Sequence, residues 1–463
     1  MSRRAAVLGL AVVAAATALA APTAARPPLV TLGPAVRIQT PGQTVMTCPI
    51  EGEPAVAVTS AGTWVGYNDD QGCPLNPTAH LHLTSLQLVP AAGGAPRYVP
   101  VAAAAGGYLS GDPALAPDPV HPGSVLLAGL EAMASGDIDV TVYRVSPGLT
   151  WTRLPGPHVS GTFDDKEFMA SDLSRRSRWR GRTYLAWDQT SGTKPGVIVR
   201  AFDGRAWLPP VRVFDSSGFP DIAVAPDGTV AVAWVGADGS YVSLSHDGGA
   251  TFGKGVRALT GGEPGRLDPA CPLRPTVGIR QRVLAEPRLA WDARNVLHVV
   301  TSLAPVTAVS SLAGRTPGSA GVGGTGVIWH TTTRDGQAFS AQVPVAAESP
   351  TVQFDPAVAA TPAGGVAVEW LSTSPDPQTT YDAFLAVLSP GGRAFSGPVR
   401  LSESPSTFPS AMEAVGNSDC YGIGDYTGLA PTATGVTAVW PTSEHVATPQ
   451  IDTDVLMRPA TVR

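Results

Sequence analysis

The chain is short of charge, of aromatic residues and of cysteine, and each shortage removes a class of explanation. Of its 463 residues only 15% are Asp, Glu, Lys or Arg and 6% are aromatic, while 43% are apolar. That balance is too hydrophobic for disorder, and with 37 acids against 31 bases it argues against a general nucleic-acid binder. Four cysteines occur with no Cys-x-x-Cys, so a zinc or redox motif is not expected. No Gly-x-Ser-x-Gly elbow, phosphate loop or dinucleotide fingerprint is found. Beyond the N-terminus no apolar run reaches 18 residues, which predicts no membrane insertion.

What is present begins with an address. Residues 1–25 read as a signal peptide: Arg3 and Arg4, an apolar run from Ala5 to Ala20, then small residues. An ordinary secretory n-region is favoured over twin-arginine export. Residues 26–463 are then expected to be one secreted, extracellular, monomeric domain whose formal net charge, without the two arginines, is −6 − 2 = −8. In such a compartment four cysteines are most simply two disulfides. Of the three pairings, Cys48 with Cys73 and Cys271 with Cys420 is favoured by position: the first pair brackets one repeat, and the members of the second each precede another.

That repeat is the main organising feature. A short phrase, usually an acid, then Pro, then small apolar residues, returns seven times, at Glu53, Asp112, Asp165, Phe219, Glu286, Asp355 and Asp425. The spacings are 59, 53, 54, 67, 69 and 70 residues, as expected of propeller blades made of short strands. Each phrase leads into alternating strands, with second strands such as Thr183 to Trp187 and third strands such as Gly196 to Phe202. Fourth strands such as Ala206 to Val213, Phe252 to Leu259, Phe339 to Val345 and Phe395 to Leu401 close six of the units. The seventh lacks one at the C-terminal end, and Pro34 to Gln39, similar to Gly397 to Ser402, is expected to dock beside Thr453 to Met457 and supply it. The fold class is therefore all-β, a single seven-bladed β-propeller of four-stranded antiparallel blades closed by an N-terminal strand, with a six-bladed ring as the alternative. Ala55, Ala57, Ala114, Ala116, Ala223, Ala290, Ala357 and Ala359 are small, as crowding at the axis requires. Trp187, Trp234, Trp370 and Trp440 recur at one position of the second strand and read as packing between blades.

Between the third and fourth strands of the fourth unit stands Ser245-His246-Asp247-Gly248-Gly249-Ala250-Thr251-Phe252. It matches the Asp-box, Ser-x-Asp-x-Gly-x-Thr with a following aromatic, and decayed copies run from Ser146 to Trp151, Thr333 to Phe339 and Ser389 to Phe395. On these residues the chain resembles the secreted bacterial Asp-box (BNR-repeat) propellers of the sialidase-like superfamily, over nearly all of its mature length. The resemblance implies a sialidase-like propeller that binds, and as a glycosidase hydrolyses, a glycan or glycoconjugate. It also departs from that family: sialidases have six blades and an arginine triad that is not assembled here. Arg37-Ile38 resembles the family's early Arg-Ile-Pro, with Gln39 in place of the Pro.

In a propeller the phrases that open the blades meet at one mouth of the axial channel. The ring would hold Glu53, Asp112, Asp165 with Lys166, Glu286 with Arg288, Asp355, and Asp425 with Tyr426. Crowded carboxylates raise one another's pKa, which can furnish a general acid. The family's Tyr/Glu nucleophile pair implies Glu286 with Tyr426, and its proton donor Asp112 or Asp165. Glu53, Lys166, Arg288, Asp355 and Asp425 are candidate ligand-binding residues. Lys166 and Arg288 either hold an anionic group or neutralise the carboxylates. No cofactor is expected, though the ring leaves room for a cation such as calcium. The competing reading is a noncatalytic extracellular module that recognises a glycan or a protein. His80 with His82, and the run Arg175, Arg176, Arg178, Arg180, Arg182 around Trp179, read as exposed strand and turn, the latter able to hold an anionic polymer.

Overall fold

The computed structural model describes residues 29–41, 50–70, 84–103, 107–133, 136–157, 163–190, 195–262, 265–266, 281–303, 326–346, 351–374, 380–408, 423–446 and 453–463. The signal segment, all four cysteines, His80 and His82 lie outside them. Among the described residues there is no helix. The strands form seven antiparallel blades with consecutive strands hydrogen-bonded in order, plus a two-residue ribbon joining Gly265–Arg266 to Arg282–Val283. Blade 1 begins at Ile50–Thr59, blade 2 at Tyr108–Pro117, blade 3 at Asp164–Ser171 and blade 4 at Asp221–Val224. Blades 5, 6 and 7 begin at Arg288–Trp291, Gln353–Ala360 and Gly428–Pro431.

Second strands are the most apolar because neighbouring blades cover both their faces. Val125–Ala132, Thr183–Gln189, Leu297–Leu303, Val366–Thr373 and Gly435–Thr442 are buried at every residue. The recurring tryptophans explain how: each packs against the blade before it. Trp187 joins Ala114 and Leu126 of blade 2, Trp234 joins Val197 and Val199 of blade 3, Trp370 joins Ala290 and Val300 of blade 5, and Trp440 joins Leu371 and Leu385 of blade 6. One large ring per interface removes on the order of 150–250 Å² from water.

The ring closes where expected. Val36–Ile38 pairs with Val455 to Met457 on the third strand of blade 7, and Ile38 is buried among Val65, Tyr67 and Val439. A second piece, Val30–Leu32, pairs with Ala460 to Val462 on the same strand. The interruption faces Pro459, which has no N–H to donate; the Gly33 N–H bonds the Pro459 carbonyl at 2.8 Å, and a Cβ at Gly33 would lie 2.8 Å from the proline ring. Arg37 bonds Asp454, so it belongs to the closure and not to a substrate site.

The fourth strands start later than their alternation predicts, at Val211–Phe214, Val256–Thr260, Val343–Pro344 and Val399–Arg400. The aromatic residue ahead of each belongs to the turn. Trp207 bridges Phe202 and rests on its ring at 5.1 Å between centroids, and Phe395 rests on His330 of blade 5 at 5.1 Å, filling the gap between the two blades.

Candidate functional site at the axial mouth

The seven opening phrases do meet, and a backbone device brings them together. Glu53, Asp112, Lys166, Phe219 and Asp355 have φ between 47° and 53°, and Gly424 has φ 93°. In blades 1, 2, 3 and 6 this left-handed residue sits in a bulge, with register shifts between Gly52 and Ala55, Gly111 and Ala114, Asp165 and Phe168, and Phe354 and Ala357. Such bulges bend a strand and re-aim its side chains. The strand register corrects the sequence alignment: the residue equivalent to Glu53 is Lys166 and not Asp165 in blade 3, and in blade 7, where Gly428 stands opposite Val439 as Phe168 stands opposite Ala186, it is Tyr426 and not Asp425. Aligning on acids alone shifted both phrases by one residue.

Lys166 is the hub. Its Nζ lies 2.5 Å from Asp425 Oδ2, 3.7 Å from Glu53 Oε1, 3.8 Å from Asp112 Oδ2 and 3.8 Å from Glu286 Oε1. The other oxygen of Glu286 accepts from Arg288 Nη2 at 2.5 Å. The Arg288 guanidinium lies 4.2 Å from the Phe168 ring and 5.7 Å from the Tyr426 ring, and Lys166 Nζ lies 5.5 Å from the latter. Glu53 accepts from Asn68 Nδ2 at 2.6 Å and from the Asp425 N–H at 2.9 Å. Gln281 clasps the chain just before Asp425, donating to the Gly424 carbonyl and accepting from the Ile423 N–H. Asp355 contributes a carbonyl that accepts from Thr427 Oγ1 at 2.9 Å.

Depth divides this cluster. The Lys166, Glu53, Glu286 and Asp425 side chains are 1–4% exposed, whereas Asp112 reaches 13% and Asp165 is half-buried. Asp165 accepts the N–H of Lys166 and stands at the rim of the inner group. Tyr426, the proposed nucleophile, is buried.

Burial works against charge on Lys166, but Asp425, Glu53, Asp112 and Glu286 outweigh it and hold the ammonium charged. Glu53 is pushed well up by burial and by Asp112 and Asp425, with Lys166 opposing. Asp355 is pushed up by burial, Asp425 and Glu286. Two buried cations thus face more carboxylates than they can neutralise, so protons are shared within the cluster. Burial and the surrounding carboxylates raise the Tyr426 phenol well above its ordinary range.

One acid escaped the sequence pattern. In blade 4 Phe219 occupies the left-handed position, and its N–H is held by Asp188 at 2.8 Å. The carboxyl falls two residues later, at Asp221, which accepts from Ile222 N and Leu289 N at 2.7 Å each. Burial pushes Asp221 up to about 6, with Arg288 opposing. With Phe168, Arg288 and Tyr426 it lines an axial cavity of about 170 Å³ below the Lys166 cluster. Among the described residues no group of three or more His, Cys, Asp or Glu is arranged to hold a metal ion.

No family model and no curated protein matches the chain. Solved structures similar to it include a Hadza microbial sialidase, at 18% identity and a TM-score of 0.43 over 86% of this chain and 76% of that one. A Penicillium chrysogenum alpha-L-arabinanase complexed with arabinobiose gives 14% and 0.44 over 74% and 92%. A Trypanosoma rangeli sialidase in complex with the inhibitor DANA gives 9% and 0.43 over 81% and 60%. At these values the likenesses say nothing about chemistry at this mouth, and the established description of the chain is the one its own strands give, a seven-bladed β-propeller.

Proposed function

We propose that the protein is a glycan-recognition propeller that binds at the axial mouth without hydrolysis. The reading is supported by the phrase at Ser245 to Phe252, which resembles the Asp-box of sialidase-like propellers, and by the depth order of the mouth. That order is the observation that carries the mode of action. Asp112 and Asp165 reach the surface, where carboxylates can accept pairs of sugar hydroxyls, while the inner carboxylates are spent on Lys166 and Arg288. Fixing Asp112 from below, through Lys166 and through the Asn68 amide on its backbone N–H at 2.8 Å, lowers the ordering cost of binding. A propeller of this kind, exported by the N-terminal signal, would meet its glycan outside the cell.

A glycan array and a panel of fluorogenic sialosides and other glycosides test this together. Array binding that Asp112→Asn and Asp165→Asn each abolish, with no turnover by the wild type, is the expected result. Turnover, or binding indifferent to both variants, overturns it. One observation favours a hydrolytic alternative. Asp221 is an acid pushed to about 6 and lining a cavity, as a general acid must be. Its signature would be turnover that Asp221→Asn abolishes.

A further inference from the structure

The end of the propeller opposite the mouth carries charge of the other sign. The chain is acidic overall, with a formal net charge of −6, yet Arg175, Arg176, Arg178 and Arg180 are all exposed on the connection between the first two strands of blade 3. This connection is built in place. Ser174 Oγ donates to the Pro226 carbonyl of blade 4 at 2.5 Å, and the Arg178 and Arg182 guanidinia stack on Trp179 at 4.7 and 4.2 Å from its ring centre. Arg178 also donates to the His246 carbonyl of blade 4 at 3.1 Å, and Arg176 to the Ala293 carbonyl of blade 5 at 3.1 Å.

The basic surface then continues from blade to blade. Arg334 donates to the Arg294 carbonyl at 3.2 Å, and an ideal Cβ at Gly391 of blade 6 would lie 3.5 Å from Arg294 Nη1. Each carbonyl contact uses one donor of a guanidinium that has five, so the groups are oriented and keep hydrogen-bonding capacity. The acids nearby are already engaged. Asp292 pairs with Arg294, Asp227 accepts from Asn295 Nδ2, and Asp247 and Asp335 accept N–H groups of their own turns. Two clefts lie along this surface. One of about 390 Å³ is lined by His246, Asp247, Thr251, Lys254, Asp335 and Gln337, and one of about 410 Å³ by Arg294, Thr332, Arg334, Asp335 and Ser389. Both are large enough for a sugar unit; the second carries two arginines against Asp335, whereas in the first Lys254 stands against Asp247 and Asp335, so it suits the hydroxyls of a chain and not its anionic groups.

We infer that this end binds an anionic polysaccharide, whose carboxylates or sulfates sit on the blade 3 arginines and on Arg294 and Arg334, with its hydroxyls over the cleft between them. This is a second site, independent of the mouth. Single-stranded nucleic acid fits the surface less well, because it binds by stacking bases on aromatic faces. The exposed large aromatics among the described residues, Tyr108 and Phe163, stand at the starts of blades 2 and 3, at the other end. Trp179 is covered by two guanidinia.

The test uses the full chain with fluorescent dextran sulfate and polygalacturonate, neutral dextran and a single-stranded DNA of matched charge, at low and high salt. Both anionic polysaccharides should bind at low salt and weaken as salt rises, and neutral dextran should not bind. Arg175→Glu with Arg180→Glu should weaken binding on the order of tenfold, and Arg334→Glu should weaken it measurably. Thermal midpoints should be unchanged, since none of these side chains is buried. Failure of both polysaccharides to bind at low salt overturns the site. Tighter binding of DNA overturns its assignment to a polysaccharide. An effect confined to the blade 3 arginines overturns the path over the cleft.

Discussion

Carboxylates at the two ends of the same blades are driven in opposite directions. At the outer turn of blade 4, Asp247 accepts from Ser245 Oγ, Thr251 N and Thr251 Oγ1. Partial burial opposes its ionisation, but those bonds prevail and hold it down to about 2. At the mouth, burial and neighbouring acids push Glu53 and Asp355 up, and the charge that balances them comes from Lys166 on another blade. The outer turn is satisfied within five residues of sequence. The Lys166–Asp425 bond spans 259. One carboxylate set is local and replaceable; the other exists only when the ring is closed, so the two should respond very differently to substitution.

The largest effect is expected from Lys166→Met, which leaves four carboxylates around a buried methionine. Breaking a buried ion pair by removing one partner costs about 3–5 kcal/mol. Urea unfolding should show a loss of that size, and a loss below about 1 kcal/mol would make the mouth no more cooperative than a surface pair.

Asp221 gives the pH dependence. Its folded pKa, about 6, lies above its unfolded value near 3.8. The folded protein therefore holds this proton more tightly, a contribution fully present below the unfolded value and lost as pH rises through about 6. The difference is worth about 3 kcal/mol at most. Relative to Asp221→Asn, the wild type should lose stability between pH 4 and 6; parallel profiles would remove Asp221 from the buried set.

Gly424→Ala should cost about 2 kcal/mol, because its φ is 93° and a Cβ would lie 2.1 Å from Glu53 Cγ. Asp247→Ala should cost about 1–2 kcal/mol. Its pH dependence runs the other way: the folded pKa is depressed, so the contribution stands above the unfolded value and disappears as pH falls through about 2. Unfolding of the two variants side by side checks whether mouth and turn differ as described.

Most of the fold was legible in the sequence because a propeller writes its requirements repeatedly. Small residues near the axis, a tryptophan on the second strand and an orphan closing strand each follow from packing blades around a ring. The acids at the mouth were legible for the same reason. Their depth was not, since spacing fixes which residues meet and not which of them water reaches. That is why the burial of Tyr426 was not foreseen and Asp165 read as equivalent to Glu53, when the left-handed backbone position belongs to Lys166. Asp221 was hidden because Phe219 took the expected place of the acid and Asp188 of the neighbouring blade took over the bond to its N–H. A lysine inside a phrase otherwise opened by acids was the signal available for the hub.

The most direct test of the account is a double-mutant cycle between Lys166→Met and Asp425→Asn, read by urea unfolding. If the mouth is one buried ionic network, the two changes should couple by about 2 kcal/mol, with the double variant less damaged than the sum of the singles. Additivity within about 0.5 kcal/mol would contradict it, because residues in one network do not lose stability independently.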